Sequence, residues 1–158
     1  MEKKKAGTFQ IEENVLIRTI DRATGKILTE EEVSNLIVNA GLVLAAKLIC
    51  GDETTGWSQI AIGTGTTAAT VTDTSLETEY TRAAADNAGS RYEASYKAVF
   101  SKTFSFASGV SENITEAAVS DSASASGETL LNRYVFSAKA VDADTDLSVT
   151  VTISLSTV

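Results

Sequence analysis

From Leu147 to Leu155 the chain alternates without a break. Leu147, Val149, Val151, Ile153 and Leu155 fall on one side, Ser148, Thr150, Thr152 and Ser154 on the other. A period of two puts these sets on opposite faces of a strand, and a helix would mix them. At ~3.3 Å per residue the strand is about 30 Å long, with one face for a core and one bearing hydroxyls. A chain that ends in such a strand is constrained to supply further strands to pair with it.

The remaining segments supply them. Asn14–Ile20 and Lys26–Val33 flank a short segment ending in Gly25, which reads as a hairpin whose glycine takes a positive φ. Glu30, Glu31 and Glu32 read as a solvated stretch at the end of its second strand. Trp57–Ile62 is a strand with Ser58, Ile60 and Ile62 on one face and Trp57, Gln59 and Ala61 on the other; Trp57 is placed to cover the rim of a core or to anchor a contact. Leu76–Arg82 fits a helical turn or the start of a strand, and 83–90 fits a loop. From Tyr92 to Phe106 every second position apart from Lys102 is apolar, and the i, i+4 spacing of Tyr92, Tyr96, Phe100 and Phe104 permits a helix as well as a strand. The content favours a strand, either one very long or two joined by a bend near Ser101–Lys102. Ile114–Val119 and Thr129–Ala138 are further strands, separated by the turn segment 120–127.

One helix is expected, over about 39–50. Asn39 is its candidate N-cap, Leu42, Ala45, Ala46 and Ile49 recur at helical spacing, and Gly51 sits where a left-handed C-terminal residue belongs. Val43, Leu44 and Leu48 widen the apolar face to most of the circumference, which calls for burial against a sheet or a neighbouring subunit. Cys50 reads as a small buried hydrophobe. The expected fold is therefore mainly β: a jelly-roll-like antiparallel β-sandwich over residues 13–158, with a short helix and an extended N-terminal arm over residues 1–12. In that arm Lys3, Lys4 and Lys5 could meet an acidic surface, while Phe9 and Ile11, spaced as on a strand, could fill a partner's pocket.

Chemistry is restricted by what is missing. The chain of 158 residues has no His and a single Cys, so a His-dependent triad, a thiolate metal cluster and an internal disulfide all drop out. No cofactor is expected. The net charge of −8 argues against nucleic acid as a partner, since phosphate binding needs a cationic face. No apolar run is long enough to span a bilayer, and the basic start lacks the apolar stretch of a secretory signal, so the protein is expected to be made and kept in water. The Gly63-Thr64-Gly65 corner lacks the lysine and hydroxyl of a phosphate loop and reads as the exit of a strand. Asp142, Asp144 and Asp146 alternate as in a calcium loop, but Leu147 and Ile153 occupy the positions that would need Gly and Glu. Asp73, Glu77, Glu79, Asp86 and Glu93 are of the right type for a glycosidase pair, though nothing sets two of them across a cleft.

Three stretches carry a resemblance. NLIVNAGLVLAAKLICG, WSQIAIGTGTTAATVTDTSLETEYTR and ITEAAVSDSASASGETLLNRYVFS, the last leading to LSVTVTISL, together resemble a group of small virion proteins of tailed bacteriophages. The likeness covers roughly residues 35–158, with Ala118-Val119 standing where the group has Gly-Leu-Phe. Members serve as capsid decoration or as tail appendages. The resemblance implies a non-enzymatic structural protein, first a capsid decoration (cement) protein bridging capsid subunits. The alternatives are a tail fibre, adaptor or baseplate component, or, from another class, a carbohydrate-binding module. The implied partners are further copies in a trimer or other symmetric oligomer, and the major capsid protein or tail proteins. The implied place is the virion, after synthesis in the bacterial host's cytoplasm.

Overall fold

The computed structural model describes residues 9–34, 36–87 and 91–157. The elements run β1 (Phe9–Asp21), β2 (Ile27–Val33), β3 (Leu36–Ile37), α1 (Asn39–Cys50), β4 (Gln59–Gly63), β5 (Glu79–Ala84), β6 (Tyr92–Glu93), β7 (Lys97–Phe104), β8 (Ser111–Ser120), β9 (Leu130–Asp142) and β10 (Thr145–Thr157). They form two five-stranded antiparallel sheets, ordered β2-β1-β10-β7-β6 and β3-β9-β8-β4-β5, in a β-sandwich with one short helix.

The alternating C-terminal strand is the middle strand of the first sheet. It pairs with β1 from Phe9↔Thr157 to Asp21↔Thr145, and with β7 from Leu147↔Phe104 to Ser154↔Lys97. Leu147, Val149, Val151 and Ile153 are buried against Val15 and Ile17 of β1, Phe100 and Phe104 of β7, and Ile60, Ile62, Ile114 and Tyr134 from the facing sheet. Leu155 ends the series exposed. β8 is buried along Ile114–Ser120 on both faces. Its outer side lies under a second cluster of Val38, Ala61, Leu76, Ala118 and Leu130, so its sequence shows no alternation.

The β1–β2 hairpin forms as expected, with Gly25 at φ 71° and the Asp21 carboxylate accepting from the Thr24 amide and hydroxyl. Residues 9–12, read from sequence as arm, are instead the first rungs of β1. Their alternating apolar residues belong to the same sheet pattern as those that follow; residues 1–8 lie outside the described ones. Of the acidic triplet, Glu30 and Glu32 are exposed as expected, and Glu31 is half-buried. It accepts from Lys139 Nζ at 2.5 Å and from the Ser137 hydroxyl, closing the corner between β2 and β9. The 79–84 segment is a strand, not a helical turn, and takes Ala83 and Ala84 from the expected loop. The 92–106 segment breaks earlier than expected, at Ser95 and Tyr96, both at positive φ, and not near Ser101–Lys102.

Helix α1 spans the expected residues, and Gly51 caps it at φ 81°, donating to the Lys47 carbonyl. Asn39 is not the N-cap. Val38 holds that place with no side-chain bond, and the Asn39 amide is satisfied by the Val71 carbonyl across the fold. A tertiary backbone acceptor has replaced the local one. Gly41 lets the helix touch β9, since a Cβ there would lie 2.4 Å from the Leu131 carbonyl oxygen. Only Gly41 and Leu44 of the helix are buried. Cys50 is exposed, because only one narrow stripe of the helix, Gly41 and Leu44, is buried and Cys50 falls outside it.

Candidate interaction surface

Two regions hold what chemistry the chain has beyond its core. The first grows from the strand exit at Gly63 and Gly65. β8 directs the fully buried Glu116 toward this corner. Its Oε1 accepts from the amides of Gly65 (3.0 Å) and Thr78 (2.8 Å). Its Oε2 accepts from the Glu77 amide (3.1 Å) and from Arg133 Nε (2.9 Å). The glycines are required by this closeness: a Cβ on Gly63 or Gly65 would come within 2.6 or 2.5 Å of Glu116 Oε1. Arg133, on β9, continues to Asp73 at 2.8 Å and to the Thr67 carbonyl at 3.0 Å. Glu77 accepts from the amides of Thr66 and Thr67, and Asp73 from the amide and hydroxyl of Thr70.

Burial disfavours the Arg133 charge, but Asp73 and Glu116 outweigh it and hold the guanidinium above its ordinary pKa. Burial likewise pushes Asp73 up, and the bonds from Thr70 and Arg133 more than reverse this, leaving it below the usual carboxylate range. Backbone and hydroxyl bonds from Thr67 hold Glu77 low as well. A hydroxyl-lined cleft of about 420 Å³ opens above these groups, between Thr67, Thr70, Thr72, Asp73, Glu77 and Arg133. Its two carboxylates are both shifted toward the ionised form, so neither is a proton donor of the kind a glycosidase acid needs. Of the other carboxylates, Glu79 pairs with Arg82 at 2.5 Å and Asp86 with Lys102 at 2.6 Å, while Glu93 stands on β6 opposite Lys97. Asp142 Oδ1 accepts from the Asp144 amide and Asp146 Oδ1 from Arg22 and Ser105. Among the described residues no three Asp, Glu or Cys side chains are grouped to share a metal ion.

The second region lies where α1 meets the first rungs of β1 and the last of β10. An apolar groove of about 260 Å³ is bounded by Ile11, Leu42, Ile49, Trp57, Phe100 and Leu155, among others. It adjoins a wider recess of about 540 Å³ beneath Tyr92 and Tyr96, the two sharing Ala98 and Leu155 as walls. The side chains around it stand in water: Ile49 is 81% exposed, Tyr92 73% and Tyr96 72%. Glu13 follows Ile11 on the inward face of β1. Burial raises its carboxyl to about 7, against a long bond from Asn132 at 3.4 Å that lowers it. Burial, with the Glu13 charge behind it, also drives the Tyr134 hydroxyl up. Glu13 Oε2, Tyr134 Oη and Trp57 Nε1 are buried without hydrogen-bond partners.

The structure thus brings together Ile11 and Trp57, two of the residues picked from sequence as contact candidates, on one groove. Trp57 is half-buried and packs on the core, as a rim residue does. Lys3, Lys4 and Lys5 fall outside the described residues; the backbone of Phe9 opens β1 opposite Thr157, at the edge of the wider recess. Leu42, Ile49, Tyr92, Tyr96 and Leu155 were not picked. The surplus apolar width of α1 was the available signal for the first two. Glu116 and Arg133 were missed because their meeting depends on the β8–β9 register.

No family model, curated protein or solved structure matches the chain. No helix among the described residues is long and apolar enough to cross a membrane.

Proposed function

We propose that the chain is a structural protein of a bacteriophage virion, and in particular a capsid decoration protein that bridges neighbouring shell subunits. The reading draws on the three-segment resemblance. The observation that carries it is the groove between α1, β1 and β10: apolar, flanked by exposed tyrosines, and so composed like a protein contact surface. The chain's polar groups elsewhere supply no counter-argument. The carboxylates of the 63–78 corner are bonded to one another's partners and to backbone, an arrangement that fixes a loop. Such a protein is not an enzyme; it adds contact area in the assembled particle and stabilises it by mass action.

The first eight residues carry Lys3, Lys4 and Lys5 against one acid, Glu2, while the chain as a whole is at −8. They precede Phe9 in the sequence, and their three lysines suit an acidic neighbour. Deleting residues 1–8 is expected to leave the fold intact and to weaken binding to purified shells. Unchanged shell occupancy contradicts the proposal. Copy number on the particle separates head from tail: uniform coverage of capsomers supports decoration, whereas a few to a few dozen copies, about what one tail ring would hold, moves the protein to the tail.

A further inference from the structure

We propose that the first rungs of β1, residues 9–13, form a strap that opens separately from the rest of the sandwich. The Glu13 carboxyl is its latch, closed while it carries a proton and opening when the proton leaves. The proposal concerns the isolated chain and does not depend on what the chain coats.

Pairing makes this end of β1 the weak part of a long strand. From Val15 to Ile20 the strand is paired on both sides, with β2 and with β10. From Phe9 to Glu13 it pairs, among the described residues, with β10 alone, Ile11 opposite Leu155 and Glu13 opposite Ile153. Apolar cover thins at the same place: Val15 and Ile17 are fully buried, whereas Ile11 is half-buried and its partner Leu155 is exposed. A stretch with one ladder and little buried apolar surface opens locally at small cost.

Glu13 stands at the junction. Its Oε2 is buried without a hydrogen-bond partner, and its Oε1 has the long bond from Asn132 Nδ2. Asn132 is committed elsewhere: its Oδ1 accepts from the Val119 amide at 2.8 Å, beside the shift in the β8–β9 register. Facing the carboxyl are Asn132 and Tyr134 from β9 and Ile153 from β10. Tyr134, the titratable group among these, is kept neutral by burial and by the Glu13 charge. The cations of the neighbouring elements are turned to other partners or to water. Arg133 bonds Glu116 and Asp73, Lys139 bonds Glu31, Lys102 bonds Asp86, Arg91 lies over the Phe100 ring, and Lys47 and Lys97 are exposed. None of them contributes to the shift of the carboxyl, which burial raises from 4.5 to about 7. The proton therefore favours the closed strap, an advantage that is whole below about 4.5 and gone above about 7. Opening takes Ile11 out of the groove wall and bares the 153–157 stretch of β10 as a strand edge.

Native-state amide exchange on the isolated chain, corrected for the intrinsic pH dependence of exchange, tests this without any shell. The protected amides of residues 10–13 should exchange faster than those of 147–151. They should also respond little to low urea, since local opening exposes little surface. Between pH 5 and pH 8 their protection should fall about 70-fold, the ratio that linkage gives for a carboxyl at about 7 closed and 4.5 open. Glu13→Gln has no proton to lose, and its strap should be equally protected at both pH values. Glu13→Leu repeats the test without burying an amide. Residues 10–13 that share the protection and urea slope of 147–151 would overturn the proposal, because no separate strap would exist. So would variants that respond to pH as the wild type does, because Glu13 would not be the latch.

Discussion

On the outer face of the second sheet, Glu116, Arg133, Asp73 and Glu77 have each found a partner, and the loop they hold is closed upon itself. Beside α1 the situation is reversed. Apolar side chains stand in water, and Glu13, Tyr134 and Trp57 keep buried polar atoms without a bond. The two regions differ in composition as well as in completion: one is built of carboxylates, threonines and a guanidinium, the other of aliphatic and aromatic side chains. A charged cluster that completes itself serves the fold, and an apolar surface left incomplete by the single chain is available for a partner.

The sharpest way to break this contrast is to remove the cation from the closed region. Arg133→Ala leaves Glu116, fully buried, with its amide donors but no counter-charge. The expected loss is about 3–5 kcal/mol, read as a lower urea midpoint, with unfolding at ambient temperature as the extreme. A loss below about 1 kcal/mol would show that the amide donors alone carry the carboxylate.

The two regions also differ in how they respond to pH. Glu13 has its folded-state pKa raised to about 7, so burial there favours the neutral acid. Its contribution to stability is complete below the unfolded value near 4.5 and is lost as pH rises through about 7, a change of up to about 3 kcal/mol. Asp73 is shifted the other way, and what it contributes is lost as pH falls. Glu13→Gln is therefore expected to raise the melting temperature at pH 8 and to leave it nearly unchanged at pH 5. Equal shifts at both pH values would mean that the side chain acts through packing and not through its proton.

The smallest effect concerns the helix start. Asn39→Ala would cost about 1 kcal/mol were Asn39 the N-cap. With Val38 in that place and the Asn39 amide bonded to Val71, a change within about 0.5 kcal/mol is expected in the same urea titration.

The residues best read from sequence were those whose environment is set by their immediate neighbours. The period of 147–155, Gly25 in its hairpin and Gly51 after the helix are all local facts, and each is found as expected. Cys50 and Asn39 were misread for the opposite reason: their surroundings are decided by which stripe of α1 meets the sheet and by a carbonyl 32 positions along the chain at Val71. Glu116 sits in a run, ITEAAV, whose burial on both faces leaves no period to read, and Arg133 joins it only through strand register. The groove was half legible. Trp57, Ile11 and the over-wide apolar face of α1 were visible, but Tyr92 and Tyr96 looked like two more residues of a long strand until the turn at Ser95 put them on the surface.

The contrast between a region closed on itself and a surface awaiting contact is tested most directly by amide hydrogen exchange with and without purified shells. Amides of α1 and of the 92–97 hairpin should gain protection on the shell, while those of 63–78 should exchange at one rate throughout. Protection gained at 63–78, or none gained at α1 in a sample bound to shells, would contradict the account.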